Sequence, residues 1–325
     1  MANRRLTPSQ STRPSSCDES RIPTRKTSAY SPAFDQHLTD HGISELDDDW
    51  ALSPDNLEDL KAVLSRRRAS LSPSRFTEDD YKDFKKKDRA AQSKSSVMST
   101  SLPIITGQSK TASLQNIPFT NLSNLTDGTL VDLQPDLYDG ERPEAIDKSI
   151  REELDQEVVP SKNKSYPVLP NFFIEAKGPR GSTTVSHRQI RYAGATGARV
   201  MHKLRLYVFP DDAADNRAYA FGATYMCLQG GASLKLYAFH PAVSDDAKHT
   251  IQYHMNLLES FHMDAGVEVF RKGVSALRNI REHASKERVN LVAAANLKAS
   301  TQHQPVSAAP TSICSTDQHL QYPHQ

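Results

Sequence analysis

The stretch "PNFFIEAKGP", residues 170–179, constrains the fold of this chain more than any other segment. Side chains on a strand alternate between its two faces, and both faces of residues 172–177 begin with apolar side chains. This pattern predicts an inner strand of a sheet, with Glu175 and Lys177 on one face at its C-terminal end. Because a buried charge is costly unless it is paired or binds a metal, we predict a functional site where this strand ends.

Patterned segments around this strand predict a mixed α/β (α+β) domain in which helices flank one sheet. Further strands are predicted over residues 129–137, 217–228 and 233–239, and helices over residues 53–69, 77–93, 143–159, 183–206 and 264–290. The helix at 183–206 permits a crossover between parallel strands, whereas "QGGA" at 229–232 predicts an antiparallel hairpin. The sheet is therefore expected to be mixed.

Composition divides the chain into one domain and two polar ends. Residues 1–34 contain 15 Ser, Thr or Pro residues, and residues 300–325 are similar in character. Such segments bury too little apolar surface to offset the entropy of ordering them. We predict an unstructured Ser/Thr/Pro-rich tail over residues 1–49, a single domain over 50–290 and a second unstructured tail over 291–325.

The bulk properties narrow the range of partners. A net charge of +1 gives no overall basic field, so nucleic-acid binding would depend on a local patch. Three widely spaced cysteines favour a reducing compartment. The sequence shows no secretory signal, no run of about 18 apolar residues and no nucleotide-cofactor motif. We expect an intracellular protein, in the nucleus or the cytoplasm, that has neither a membrane span nor an organic cofactor.

A divalent-metal site at the strand end requires a second acid. Asp136, which follows Pro135 at the end of the preceding predicted strand, is the first choice. Asp132 and Asp139 are alternatives, because a pattern alone does not fix the register between strands. Carboxylates bind Mg²⁺, which keeps several waters and activates one of them for phosphodiester cleavage. A neighbouring lysine orients this water and offsets phosphate charge.

Pro135-Asp136 together with Glu175-Ala176-Lys177 resembles the PD-(D/E)xK signature of the restriction-endonuclease-like nucleases. The resemblance implies an αβββαβ core, usually with the two motif strands in or near a hairpin; here 38 residues lie between Asp136 and Glu175. It also implies that Asp136, Glu175 and the Ala176 carbonyl hold Mg²⁺ and that Lys177 positions the water.

The helix after the motif strand supplies further candidates. Some branches of the superfamily carry Gln and Tyr there, and this sequence has Gln189 and Tyr192 at a spacing one residue shorter. The resemblance implies that Gln189 contacts the substrate backbone. Arg180 and Arg188 also follow the motif strand, and we predict that they line a path for nucleic acid.

A second resemblance covers residues 115–285. The phrases "QPDLYDGERPE", "PNFFIEAKGPRGS", "RQIRYAGATGARVMHKL" and "QYHM" resemble a domain family widespread in filamentous fungi. This resemblance implies a fungal intracellular protein but brings no activity with it.

These observations lead to the hypothesis of a Mg²⁺-dependent nuclease-like domain. The alternative is a catalytically inactive nuclease fold that binds nucleic acid or protein, and a structural protein is a third class. In the simplest structural interpretation, Glu175 and Lys177 form an ion pair and Asp136 shapes a turn.

Overall fold

The computed structural model describes residues 26–45, 53–211, 214–228, 231–244 and 251–302. The predicted tails at residues 1–25 and 303–325 lie outside the described residues. Within the described ranges, no helix has both the length and the apolar character that crossing a bilayer requires.

A seven-stranded mixed sheet with helices on both faces confirms the predicted fold class. The strands are β1 (Ile43–Glu45), β2 (Ala112–Leu114), β3 (Leu137–Glu141), β4 (Val168–Lys177), β5 (Ala220–Leu228), β6 (Gly231–Val243) and β7 (Ile251–His262). They lie in the order β1-β7-β6-β5-β4-β3-β2. The pairs β1–β7 and β4–β5 are parallel, and the other neighbours are antiparallel. The predicted hairpin is β5–β6.

The helices pack on this sheet from both sides. They are α1 (Phe34–Asp40), α2 (Leu57–Leu64), α3 (Glu78–Ala90), α4 (Lys94–Thr100), α5 (Leu102–Thr106), α6 (Lys148–Glu153), α7 (Asp155–Val158), α8 (Thr183–Val208) and α9 (Val267–Gln302). Short 3₁₀ turns occupy Ala69–Leu71 and Pro143–Ala145. In chain order, α5 precedes the antiparallel strands β2, β3 and β4, and α8 then crosses to β5, which is parallel to β4.

The inner strand β4 is buried along its whole length, as its apolar pattern predicts. Phe173 faces α8, because a Cβ at Gly197 of that helix would lie 2.6 Å from the Phe173 ring. Phe172 faces the opposite layer, where it shares a core with Phe270 and Leu277 of α9. Strand alternation therefore puts Glu175 and Lys177 on the α8 side of the sheet.

The predicted domain boundaries are wrong at both ends. Residues 26–45, predicted to be unstructured, form α1 and β1, since Phe34, Leu38 and Ile43 supply enough buried apolar contact to hold them. At the other end, α9 continues from residue 291 to Gln302, because Val292 and Ala295 pack on the last turns of α8.

Several element boundaries also differ. The strand predicted over 129–137 is Leu137–Glu141, so Asp136 precedes it. The helix predicted over 53–69 is limited to Leu57–Leu64, and the one predicted over 143–159 is divided into a 3₁₀ turn and two short helices. Strand β7 was not predicted, because its alternation is irregular and its burial depends on β6 and β1.

Candidate active site

Glu175 occupies the α8 face of β4 and is completely buried. Neither of its carboxylate oxygens makes a hydrogen bond of ordinary geometry with the described residues, although the Asp136 N–H lies near enough to act on its pKa. This pKa is raised from the ordinary 4.5 to about 8, first by the loss of hydration and then by the Asp136 carboxylate, while Lys177, Lys94 and the Asp136 N–H oppose the rise. A cation that binds to this carboxyl group displaces its proton, because metal ligands must be deprotonated.

The structure brings Asp136 beside Glu175, as the motif predicts. Leu137 of β3 pairs with Ile174 of β4, so the residue before β3 lies next to the end of the motif strand. Asp136 is buried, and its Oδ2 accepts a hydrogen bond of 2.8 Å from the Ala176 N–H. The insertion between the two motif strands, which contains α6 and α7, does not separate them.

Lys177 and Gln189 complete the group that the sequence predicts. The Lys177 ammonium lies 3.6 Å from Glu175 Oε2 and donates a hydrogen bond to Gln189 Oε1. A Cβ at Gly181 would lie 2.4 Å from Lys177 Cβ, so the loop leading into α8 closes tightly over this side chain. The lysine is therefore held between the strand that carries Glu175 and the helix that carries Gln189.

Lys94 is a site residue that the sequence analysis did not find. Its ammonium pairs with Asp136 Oδ1, and the side chain is 40% exposed. The start of α4 is held against the end of β4, because a Cβ at Gly178 would lie 2.7 Å from the Ser93 carbonyl carbon. No local pattern could have indicated this contact, since it depends on how α4 docks.

A pocket of about 340 Å³ lies beside these side chains. Asp136, Glu175, Lys94 and Gln189 line it together with Tyr192 of α8, whereas Lys177 lies behind Glu175 and Gln189 and does not line it. Residues of two chain segments form the rest of the wall: Ser28, Ala29, Tyr30, Phe34, Asn116, Val131, Asp132, Leu133 and Gln134. This volume is at the lower end of the range for ligand sites, so the pocket accommodates a small chemical group.

The two predicted substrate-binding arginines do not join this pocket. The Arg188 guanidinium bonds to Asp35 Oδ2 at 2.7 Å and to the carbonyl oxygens of Ala29 and Ser31 at 3.2 and 3.0 Å. It therefore bonds to the N-terminal segment, and its role in lining a nucleic-acid path stays a prediction. Arg180 is exposed in the loop between β4 and α8 and stays a prediction.

The alternative acids have other partners. Asp139 is buried on β3 and accepts hydrogen bonds from the Arg281 guanidinium at 2.6 and 2.8 Å and from the Ser113 hydroxyl at 2.6 Å. Asp132 lines the pocket but is half exposed, and it pairs with Lys26 at 2.9 Å. Asp136 is thus the acid that the register places next to Glu175.

This arrangement suits a hard cation. The Asp136 and Glu175 carboxylates supply oxygen ligands of the kind that Mg²⁺ prefers, and both line the pocket. The Ala176 N–H bonds to Asp136, and the role of the Ala176 carbonyl as a third ligand stays a prediction. Comparison with family models, curated proteins and solved structures finds no match for this chain.

Proposed function

We propose that this chain is a Mg²⁺-dependent phosphodiesterase of the PD-(D/E)xK type that acts on nucleic acid. The observation that carries the proposal is Glu175: a fully buried carboxyl group without a hydrogen-bond partner among the described residues, beside a second buried acid in an accessible pocket. When this group loses its proton, the nearest cation to the buried charge is the Lys177 ammonium, 3.6 Å away and without a hydrogen bond. A divalent cation held by Glu175 and Asp136 would stabilise that charge directly.

Each residue has a role that follows from its position. Asp136, Glu175 and the Ala176 carbonyl would hold the metal, which would supply a bound water of lowered pKa and stabilise charge on the phosphoryl oxygens. Lys177, next to Glu175 and bonded to Gln189, would orient that water towards phosphorus. Hydrolysis would break the bond from phosphorus to the leaving oxygen, with the proton of the water released to solvent and the leaving oxygen protonated from solvent.

The topology supports the same proposal. The run α5, β2, β3, β4, α8 and β5 has the αβββαβ order that the nuclease resemblance implies, with the two acids at the junction of β3 and β4. Membership of the fungal domain family and an intracellular setting, nuclear or cytoplasmic, belong to this proposal. Family membership is supported by the sequence phrases over residues 115–285, and the intracellular setting is supported by the small number of cysteines.

One observation favours a second candidate, the catalytically inactive binding module. The Lys94 ammonium already pairs with Asp136, and residues 28–34 wall the pocket. A lysine in this position neutralises the carboxylate without a metal, as happens when a metal site is replaced by an ion pair. In that case the fold retains the acids for stability, and any nucleic-acid contact lies on the surface.

The test is cleavage of single-stranded DNA, duplex DNA and RNA oligonucleotides by the full chain with Mg²⁺, Mn²⁺ or a chelator. We expect metal-dependent cleavage by the wild type and by Glu144→Gln, a matched variant at an exposed glutamate, and its loss in Glu175→Gln. Equal cleavage by Glu175→Gln and wild type would remove Glu175 from the mechanism. Binding of the oligonucleotides without cleavage in any metal would support the inactive module.

A further inference from the structure

A second group of potential metal ligands lies outside the pocket, between α1 and the long segment that connects β2 to β3. His37 lies in α1, and His41, four residues later, caps the C-terminal end of this helix, while Asp127 lies close to both in the connecting segment. One ligand atom from each residue can be chosen so that all three lie within 4.8 Å of one another. Within the described ranges, this is the one cluster of three or more His, Cys, Asp or Glu residues that close.

The distances suit a small tetrahedral ion. His37 Nε2 lies 3.4 Å from Asp127 Oδ1, and His41 Nε2 lies 4.0 Å from Asp127 Oδ2. Zinc bonds of about 2.0–2.1 Å in tetrahedral geometry place neighbouring ligand atoms about 3.3 Å apart. The first separation matches that value, and the second, which ends on the other carboxylate oxygen of Asp127, is about 0.7 Å longer.

The surrounding hydrogen bonds orient the ligands. His41 Nδ1 lies 2.8 Å from the His37 carbonyl oxygen, so it donates to this acceptor and leaves the Nε2 lone pair free for a metal. Metal-binding histidines usually have such a second bond to a carbonyl or carboxylate. Asp127 Oδ1 accepts from the N–H and hydroxyl of Thr129, at 3.0 and 2.7 Å, which fixes the carboxylate.

His37 Nε2 is buried and makes no hydrogen bond with any of the described residues, although Asp127 lies close by. The separation of 3.4 Å is within ion-pair distance, and it is also the spacing of two neighbouring ligand atoms around a tetrahedral zinc ion. The buried nitrogen therefore has no hydrogen bond to give up when a metal binds.

We propose that His37, His41 and Asp127 bind a transition-metal ion of the Zn²⁺ class, with water at the fourth position. Two imidazoles and one carboxylate select zinc and its neighbours over Mg²⁺, which prefers oxygen ligands. The site is therefore distinct in chemistry from the proposed Mg²⁺ site and independent of it. Bound metal joins α1 to the connecting segment, and both supply walls of the pocket through Phe34 and residues 131–134.

The test uses Co²⁺ as a spectroscopic substitute for Zn²⁺, titrated into the full chain. We expect a visible absorption band typical of tetrahedral Co²⁺ that saturates in the wild type and is displaced by Zn²⁺. His37→Gln and His41→Gln should each weaken this binding at least tenfold, because each removes one ligand. The chain has 12 histidines, so the matched control is His262→Gln, at an exposed histidine at the end of β7, which should bind as the wild type does.

Asp127→Asn provides a second variant at a half-exposed position, in case a histidine change disturbs the packing of α1. It should retain the fold, measured by circular dichroism, and lose the tetrahedral band. Unchanged Co²⁺ affinity in both histidine variants, or a spectrum of octahedral aqueous type in the wild type, would overturn the proposal. Because the readout is absorption, the result does not depend on whether the chain cleaves nucleic acid.

Discussion

Replacing Glu175 with Gln tests the electrostatics of the site directly. The substitution keeps the shape of the side chain and removes its ability to ionise, so it imitates the protonated form. In the wild type the folded-state pKa is about 8 and the ordinary value is 4.5, with burial as the main cause. Between pH 4.5 and about pH 8, Glu175 holds a proton in the folded chain that it has released in the unfolded chain.

The sign and size of the effect follow from proton linkage. Because the folded state binds more protons, this group's contribution to stability is complete below pH 4.5 and is lost as the pH rises to about 8. The loss is about 1.4 kcal/mol per pH unit, so the wild type should forfeit about 3 kcal/mol from this group by pH 7. Glu175→Gln should not show this loss and should be the more stable protein at pH 7.

The assay is urea denaturation of the full chain from pH 5 to pH 8.5 in a chelator, with Glu144→Gln as the exposed control. The quantity to compare is the unfolding free energy of each variant minus that of the wild type, because titrating groups that do not interact with Glu175 cancel in this difference. We expect it to rise with pH for Glu175→Gln and to stay flat for the control. A flat difference for Glu175→Gln would refute the assignment of a buried, proton-holding carboxyl group.

Three further outcomes follow from the same contacts. Lys177→Met should lower metal-dependent cleavage about 10²-fold or more, measured in single turnovers, while Mn²⁺ affinity by calorimetry is retained. Lys94→Ala should tighten Mg²⁺ binding in a calorimetric titration, because the ammonium that competes for Asp136 is removed. Asp139→Asn should lower the free energy of unfolding by about 3–5 kcal/mol in urea, since Arg281 loses its buried anionic partner, and should leave Mg²⁺ affinity unchanged.

The parts of the fold that depend on local pattern could be predicted from the sequence. Residues 172–177 have apolar side chains on both faces of the strand. Both faces are buried only where other layers of the protein cover the sheet above and below. Gly194 and Gly197 of α8 lie against the rings of Phe239 and Phe173, a close helix–sheet packing that small residues permit. The sequence motif also predicted that Asp136 lies near Glu175, and the bond from the Ala176 N–H to Asp136 places it there.

The parts that depend on distant contacts could not be predicted. Lys94 reaches Asp136 only because α4 docks where β4 ends, and nothing near Lys94 in the sequence indicates that docking. The segment of residues 26–45 looks like a solvated tail by composition, yet Phe34 and Leu38 are buried and Arg188 bonds to carbonyl oxygens of this segment. A few buried side chains and one arginine therefore outweigh an average composition that favours disorder.

The most direct test of the central claim is the location of a bound ion in crystals of the full chain grown with Mn²⁺. Anomalous scattering should show a peak bonded to both the Asp136 and the Glu175 carboxylates, with the Lys94 ammonium displaced from Asp136. The same crystals of Glu175→Gln should lack that peak. An occupied wild-type site elsewhere in the chain, with Lys94 still paired to Asp136 and no density between the two acids, would contradict the account.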